Sequence, residues 1–357
     1  MRIAIRYALF KMTATTNIEL KELLQALEKE PTNLDAINSL AIGYFENYDQ
    51  KTDKEDYDYF EKAYNLKRTV KSTHNFAWFL YFEWSEIEWR WKQDNAIARA
   101  IEIQKECIDL GPKSYYPYYQ CGYMLLDQKK FKEAIPFLDK AYNIEKQRDI
   151  IHNIGYCYFQ MEEFQKAKES FSQSTTDLDI ENISLYNLAL TEWKLNNTEQ
   201  VKLIADKLSK HIETNVHETI SGYEIGLLFF LLDDLQRASE CLVKQGINGI
   251  DLLDWSDLSY SLFITDNKLW RKKINDSIDE RKKWCNEIAN NHEDWSEYTS
   301  EEKTERLIEL KSEIKIRQKT LNNVMTKPIQ DLNKNIWVEY CGCLLFDCKR
   351  HECKKND

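Results

Sequence analysis

The sequence predicts an all-α protein made of repeated helical hairpins. Its 357 residues include only 9 glycines and 5 prolines, which favours long helices over tight turns. One pattern of small and apolar residues also occurs twice within residues 113–168. The matched positions, each 33 residues apart, are Gly122 and Gly155, Phe131 and Phe164, Ala134 and Ala167, and Leu138 and Phe171. Because each unit of such an array packs only on its neighbours, a chain of this length needs no single large core.

The repeated pattern has a recognisable form. Gly122 and Gly155 lie in the middle of a predicted first helix, and an alanine follows each of them twelve positions later. A period this close to 34 residues, with these small positions, resembles the tetratricopeptide repeat. The resemblance implies a right-handed superhelical solenoid of helical hairpins, here with extra C-terminal helices, in which the first helix of each pair lines a concave face. It covers residues 17–245 well and residues 250–292 poorly.

The N-terminal part follows this plan with one irregular hairpin. Residues 1–16 are a lead-in, and from Leu20 a leucine-rich capping helix stops before Pro31, which cannot continue a helix. In the third unit Ala77 and Ala100 are 23 residues apart instead of 12, so about three extra helical turns are expected. These turns contain Trp78, Trp84, Trp89 and Trp91. Burial of these tryptophans in the long hairpin is favoured over an exposed docking surface.

The repeats continue towards residue 292. Ala189 keeps the period, 34 residues after Gly155, and Gly226 with Ala238 restores the separation of 12. The repeat domain is therefore assigned to residues 17–292.

A charged, heptad-like helix is predicted within residues 293–333. Thr299 and Glu302 form a capping box at its start, and Pro328 ends it. Its apolar seam is Leu307, Leu310, Ile314, Leu321 and Val324. Arg317 stands where an apolar residue would complete the seam. The partner of this seam could be the last repeat, a second subunit in a homodimer, or the concave face, which residues 300–326 would then fill.

The small residues locate the concave face. Positions three before, one after and four after each small residue form three rows that are mostly aromatic or apolar. The predicted partner-binding residues are Tyr119, Tyr123, Leu126, His152, Tyr156, Phe159, Tyr186, Leu190, Trp193, Tyr223, Leu227 and Phe230. Such a groove suits an apolar or amphipathic peptide or a partner protein, because aromatic anchors supply much of the affinity at interfaces. Aromatic residues at helical spacing are equally typical of a core, so packing by the chain itself stays an open alternative.

The tail, residues 334–357, holds the densest cluster of potential metal ligands. Cys341, Cys343, Cys348, His351 and Cys353 fall within thirteen residues. Tetrahedral zinc takes four such ligands, so zinc binding is predicted with even weight against a reduced tail of reactive thiols. The other cysteines are scattered through the helical pattern, which indicates a reducing, cytoplasmic setting and no disulfide framework.

Charge and motif content narrow the function classes. A net charge of −11 disfavours a general nucleic-acid surface. No run of the sequence approaches the roughly 18 apolar residues of a membrane helix. The sequence also lacks a metalloprotease helix motif, a nucleophile turn and a phosphate-binding loop, so no enzymatic activity is expected.

Two functions follow from these observations. The first is a cytoplasmic scaffold or adaptor, bacterial in composition, that binds a protein or peptide partner on the aromatic concave face. The alternative is a zinc-dependent or nucleic-acid-contacting regulatory protein that acts through the C-terminal cysteine cluster.

Overall fold

The computed structural model describes residues 17–46, 55–83, 95–175, 183–212, 220–244, 252–253, 256–290, 292–340 and 342–348. Within these ranges the regular secondary structure is helical and includes no strand, so the predicted all-α class is confirmed. The chain divides into two compact units. Unit 1 is Met1–Ser174 with Val338–Asp357, and unit 2 is Thr175–Trp337.

The helices of unit 1 pack as successive hairpins. They are α1 (Asn17–Lys29), α2 (Leu34–Glu46), α3 (Glu55–Leu66), α4 (Val70–Phe82), α5 (Ala96–Asp109), α6 (Tyr116–Asp127), α7 (Phe131–Ile144), α8 (Arg148–Gln160) and α9 (Phe164–Ser174). From α2 onward each odd-numbered helix packs on the even-numbered helix before it, and α1 packs on α2 as expected of a capping helix. The predicted hairpins are therefore present.

The glycines of the repeat mark a close approach of paired helices. A Cβ atom on Gly122 of α6 would lie 2.6 Å from Cγ of Leu138 in α7. A Cβ atom on Gly155 of α8 would lie 2.9 Å from the ring of Phe171 in α9. These four residues are the ones that recur at 33-residue spacing, so the repeat pattern encodes the contact between the two helices of a pair.

Unit 2 continues with helical pairs. Its helices are α10 (Ile183–Lys194), α11 (Thr198–Ile212), α12 (Gly222–Leu231), α13 (Leu235–Lys244), α14 (Ser256–Thr265), α15 (Asn267–Ala289), α16 (Ser300–Asn322) and the short α17 (Leu332–Asn335). Each helix from α10 to α15 packs on the next one along the chain. None of the helices in the described ranges of the whole chain is long and apolar enough to span a membrane.

The charged helix predicted after residue 293 is α16, and it packs on α15. Its capping box at Thr299 is formed as expected, and Leu310 of its seam is fully buried. Val324 follows the end of the helix and is 84% exposed, so its assignment to the seam was wrong. The partner that the seam needed is thus the preceding long helix.

Arg317 completes the contact between α15 and α16 with polar atoms. Its side chain is buried, and its Nε donates to Oγ of Ser277 at 3.1 Å. Nearby, Nε of Arg281 donates to Oε2 of Glu313 at 2.5 Å. These bonds explain how an arginine occupies a position in an otherwise apolar seam, since a buried charge requires paired partners.

The tryptophan-rich hairpin is described in part. Trp78 of α4 is buried and meets the ring of Phe45 edge to face at 5.4 Å, in agreement with the predicted burial. Trp84, Trp89 and Trp91 lie outside the described residues, and their burial stays a prediction.

Candidate functional site

In unit 1 the C-terminal tail lies as an extended segment against the first helices of the hairpins. Glu339 pairs with Asn153 of α8, and Phe346 pairs with Asn75 of α4. The tail therefore passes from a later hairpin to an earlier one, opposite to the chain order of the helices. The described tail residues have no helix or strand of their own after α17. Side chains of the hairpins thus satisfy backbone groups that an extended segment would otherwise leave unpaired.

Asn153 binds the backbone of one tail residue with both ends of its amide. Its Nδ2 donates to the carbonyl oxygen of Glu339 at 2.9 Å, and its Oδ1 accepts from the Glu339 N–H at 2.9 Å. The second Nδ2 hydrogen reaches the hydroxyl of Tyr119 at 3.1 Å, and Tyr119 in turn hydrogen-bonds Asp149. Burial raises the pKa of Asp149 above its ordinary value. This chain of contacts fixes the plane of the Asn153 amide.

Asn75 repeats the arrangement at the far end of the segment. Its Oδ1 accepts from the Phe346 N–H at 2.9 Å, and its Nδ2 donates to the Phe346 carbonyl oxygen at 3.2 Å. Asn75 is fully buried, so the pairing is shielded from water. Two amide groups therefore hold the tail through main-chain atoms alone, as a neighbouring strand would.

His74 adds a third contact to the tail backbone. Its Nε2 lies 2.9 Å from the carbonyl oxygen of Leu344, and Nε2 of Gln104 lies 3.1 Å from its Nδ1. Gln104 can only donate through that nitrogen, so Nδ1 is the acceptor and Nε2 carries the proton given to Leu344. Complete burial lowers the pKa of His74 to about 4, which keeps the ring neutral in this role.

The last described turn of the tail is part of the apolar core of unit 1. Leu344, Leu345, Phe346 and Cys348 are all at most 3% exposed. The ring of Phe346 lies 5.0 Å from that of His74 and 5.6 Å from that of Tyr116. By contrast, residues 338–340 are only half-buried. The segment therefore has a buried anchor at residues 344–348 and a more accessible stretch at residues 338–340.

Charged side chains match the tail at two points. Oε1 of Glu339 lies 3.6 Å from Nη2 of Arg148, and Asp347 forms an ion pair with Lys71. Asp347 has a φ of 64°, in the left-handed region that aspartate tolerates better than most residues. Two acidic side chains of the tail thus meet basic side chains of the hairpins.

Unit 2 contains an equivalent pairing of its own. Nδ2 of Asn187 in α10 donates to the carbonyl oxygen of Trp337 at 2.6 Å, and Oδ1 of Asn187 accepts from the Trp337 N–H at 3.0 Å. The same side-chain geometry therefore recurs in both units, each time on the first helix of a hairpin.

Sequence reasoning missed these asparagines, although the sequence carries a signal for them. A side-chain amide precedes the small residue of the first helix by two positions in four consecutive hairpins. The pairs are Asn75 and Ala77, Gln120 and Gly122, Asn153 and Gly155, and Asn187 and Ala189. We call Asn75, Gln120 and Asn153 the amide row of unit 1. A buried polar residue repeated at a fixed position needs a recurring partner, which for Asn75 and Asn153 is the backbone of the tail.

The predicted partner-binding residues are mostly in the core. Those that are buried are Tyr119, Leu126, His152, Phe159, Tyr186, Leu190, Leu227 and Phe230. Those that are half-buried are Tyr123, Tyr156, Trp193 and Tyr223. Tyr123 meets the ring of Tyr340 of the tail edge to face at 6.3 Å. Their role in binding a foreign partner stays a prediction, but the contact of Tyr123 places it beside the segment that the amide row holds.

The predicted groove filling by residues 300–326 is not what the structure describes. In unit 1 the tail residues that hydrogen-bond Asn153 and Asn75 are Glu339 and Phe346, and in unit 2 α16 packs on α15. The apolar seam of the helix packs on α15, whereas the backbone of the tail is hydrogen-bonded by Asn153, His74 and Asn75. In unit 1 the tail, rather than this helix, therefore lies against the first helices of the hairpins.

The predicted zinc ligands are described only in part. Cys343 is half-buried, and the thiol of buried Cys348 donates to Oε1 of Glu46 at 3.4 Å. Cys341, His351 and Cys353 lie outside the described residues. Among the residues that are described, no group of three or more His, Cys, Asp or Glu side chains is arranged to hold a metal ion. Zinc binding by the tail stays a prediction.

Two stretches of unit 1 match a known protein family. Residues 115–148 and 149–176 match the tetratricopeptide repeat family. BBS4 of Bos taurus, a BBSome complex member, is 23% identical over 192 residues, which are 52% of this chain and 35% of that protein. This chain therefore spans about a third of that relative's length.

Two solved structures are also similar to this chain. YrrB, a tetratricopeptide repeat protein with an unusual peptide-binding site, shares 15% identity with a TM-score of 0.45, over 54% of this chain and 93% of YrrB. Yeast Tom70 shares 13% identity with a TM-score of 0.46, over 84% of this chain and 59% of the Tom70 chain.

Proposed function

We propose that this chain, a tetratricopeptide repeat protein, is an interaction scaffold that binds an extended segment of a partner protein along the amide row of unit 1. The observation that carries the proposal is the paired hydrogen bonding of Asn75 and Asn153 to the backbone of Phe346 and Glu339. Each asparagine engages both the N–H and the C=O of one residue. A second chain that is extended at the first of these positions and turns at the second would present the same groups.

Recognition through main-chain atoms has a functional consequence. Every extended peptide offers an N–H and a C=O at alternate positions, so amides that bind them give affinity with little demand on sequence. Specificity must then come from the side chains that flank the row, such as Arg148, Lys71 and the aromatic residues. This division suits a scaffold that selects a short segment within a larger partner.

The predicted aromatic face has a supporting role in this proposal. Tyr119 fixes the Asn153 amide, and half-buried Tyr123 faces Tyr340 of the tail. An apolar or aromatic residue of the partner would occupy the position of Tyr340. The aromatic residues therefore line and orient the site, while the asparagines hold the backbone.

The test uses the full chain with the substitution Phe346→Ala, which removes the aromatic anchor of the chain's own tail. The probe is a fluorescein-labelled synthetic peptide of residues 336–348 under reducing conditions, and the readout is fluorescence anisotropy. Adding Asn153→Leu should weaken binding about 5- to 150-fold, because two hydrogen bonds to the peptide, worth about 1–3 kcal/mol together, are lost. Asn143→Leu is the matched control, since Asn143 is exposed on α7. Equal affinity with and without Asn153 would refute the proposal.

A further inference from the structure

Resting on the proposed function, we propose that the partner segment carries the chemistry of the tail itself. The segment has an acidic residue followed seven positions later by an aromatic–acidic pair, as in Glu339 and Phe346–Asp347. The tail is then the resident competitor for the site, and a partner must replace it.

The acidic position is set by Arg148. Nη2 of Arg148 lies 3.6 Å from Oε1 of Glu339, and the glutamate side chain is only 15% exposed. Arg148 is on α8, the helix that also carries Asn153, so the charge and the backbone contact are in register. A partner residue seated on Asn153 therefore presents its side chain to a guanidinium group, which favours glutamate or aspartate and opposes lysine or arginine.

The aromatic position is set by a closed apolar site. The ring of Phe346 is 3% exposed and lies 5.0 Å from the ring of His74 and 5.6 Å from that of Tyr116. Both ring contacts fall within the range of favourable aromatic pairs. Because Asn75 fixes the backbone of Phe346, only the side chain at that one position can enter this site. An aromatic residue fills it best.

The acidic residue that follows is set by Lys71. Asp347 pairs with Lys71, whose side chain is 28% exposed. At Asp347 the backbone turns, with a φ of 64°, and the Cys348 N–H reaches the Leu345 carbonyl oxygen at 3.4 Å. Aspartate combines a charge for Lys71 with tolerance of this backbone conformation. The partner needs an acidic residue here for the same two reasons.

The covalent link of the tail makes it a strong competitor. A tethered segment has an effective concentration on the order of millimolar at its own site. If its intrinsic dissociation constant is about 10–100 μM, a free segment with the same contacts binds roughly 10- to 100-fold more weakly to the full chain than to a chain whose tail is released. Competition therefore predicts that the chain binds a free segment measurably more tightly when its own tail is loosened.

The experiment compares full-length chains by anisotropy with the labelled peptide of residues 336–348. Phe346→Ala and Asp347→Lys in the chain are two independent ways of loosening the tail, and the second leaves the apolar core intact. Hydrogen exchange of the amides of Glu339 and of residue 346 verifies that the tail has opened at both ends. Both variants should bind the peptide at least tenfold more tightly than the unaltered chain. Changing Glu339, Phe346 or Asp347 in the peptide should weaken binding at least fivefold.

A charge exchange sharpens the test of the recognition pattern. In the tail-released chain, Arg148→Glu should lose affinity for the natural peptide and gain affinity for a peptide carrying Glu339→Arg. If Arg148 only supported the fold, the change Glu339→Arg in the peptide would not restore binding to the Arg148→Glu chain.

The outcomes separate the two proposals. Equal peptide affinity in the unaltered and tail-released chains, with binding still dependent on Asn153, would overturn the competition and leave the proposed function standing. Binding that ignores all three peptide side chains would overturn the recognition pattern. No Asn153-dependent binding to a chain whose tail is open would overturn the proposed function itself.

Discussion

Replacing Asn153 by leucine should release one point of the tail while leaving the rest in place. Leucine has a similar volume but offers no polar atom to the N–H and C=O of Glu339. Its two hydrogen bonds to Glu339 are lost, each with a net contribution of about 0.5–1.5 kcal/mol, and the bond to the Tyr119 hydroxyl within the hairpins is lost as well. Because Glu339 is half-buried, water can reach part of the freed backbone, and the expected cost is about 1–3 kcal/mol.

Amide hydrogen exchange measures this cost at the residue concerned. A loss of about 1–3 kcal/mol accelerates exchange of the Glu339 amide about 5- to 150-fold if it exchanges by local opening. The Phe346 amide should keep its protection, because Asn75 and the buried anchor still hold it. Asn143→Leu should leave both amides unchanged. Unaltered exchange at Glu339 in the Asn153→Leu chain would refute the pairing described here.

Three further predictions concern the fold. Burial holds the pKa of His74 at about 4, against 6.5 in the unfolded chain. Its contribution to stability is therefore complete above about pH 6.5 and is lost, by about 3 kcal/mol, as the pH falls towards 4. The free energy of unfolding, measured by denaturation at several pH values in this range, should depend less steeply on pH in His74→Gln. Gly155→Ala should destabilise by about 1–3 kcal/mol in urea unfolding, because its Cβ would lie 2.9 Å from Phe171. Glu313→Gln should cost about 1–3 kcal/mol by leaving Arg281 buried without its carboxylate, measured as a lower thermal midpoint.

The hairpins could be predicted from the sequence because their contacts are local and repeated. Gly155 and Phe171 touch across one hairpin, and the same contact at Gly122 and Leu138 gives a period that is visible in the sequence. The heptad seam was likewise found, although Arg317 was understood only from its bonds to neighbouring polar atoms. Patterns of residue size and apolarity are therefore sufficient to predict helices that pack on their neighbours along the chain.

The occupant of the concave face could not be predicted in the same way. Asn75 and Phe346 are 271 residues apart, and their contact is made through main-chain atoms that every residue has. No side-chain pattern in the tail identifies such a contact. The amide row is visible in the sequence of the hairpins as a repeated side-chain amide. It lies among aromatic positions, however, and those positions predict an apolar groove.

The two halves of the tail suggest how exchange with a partner would proceed. Residues 344–348 bury three large apolar side chains, each of which contributes about 1.5–3 kcal/mol, so they resist release as a block. Residues 338–340 are half-buried, and their contacts include those of Glu339 with Asn153 and Arg148 and of the Tyr340 ring with Tyr123 and Phe82. A partner that first replaces Glu339 meets the smaller barrier, and its bound end then raises the local concentration of its aromatic residue beside the site of Phe346. The acidic position should therefore govern the rate of association, and the aromatic position should govern the rate of dissociation.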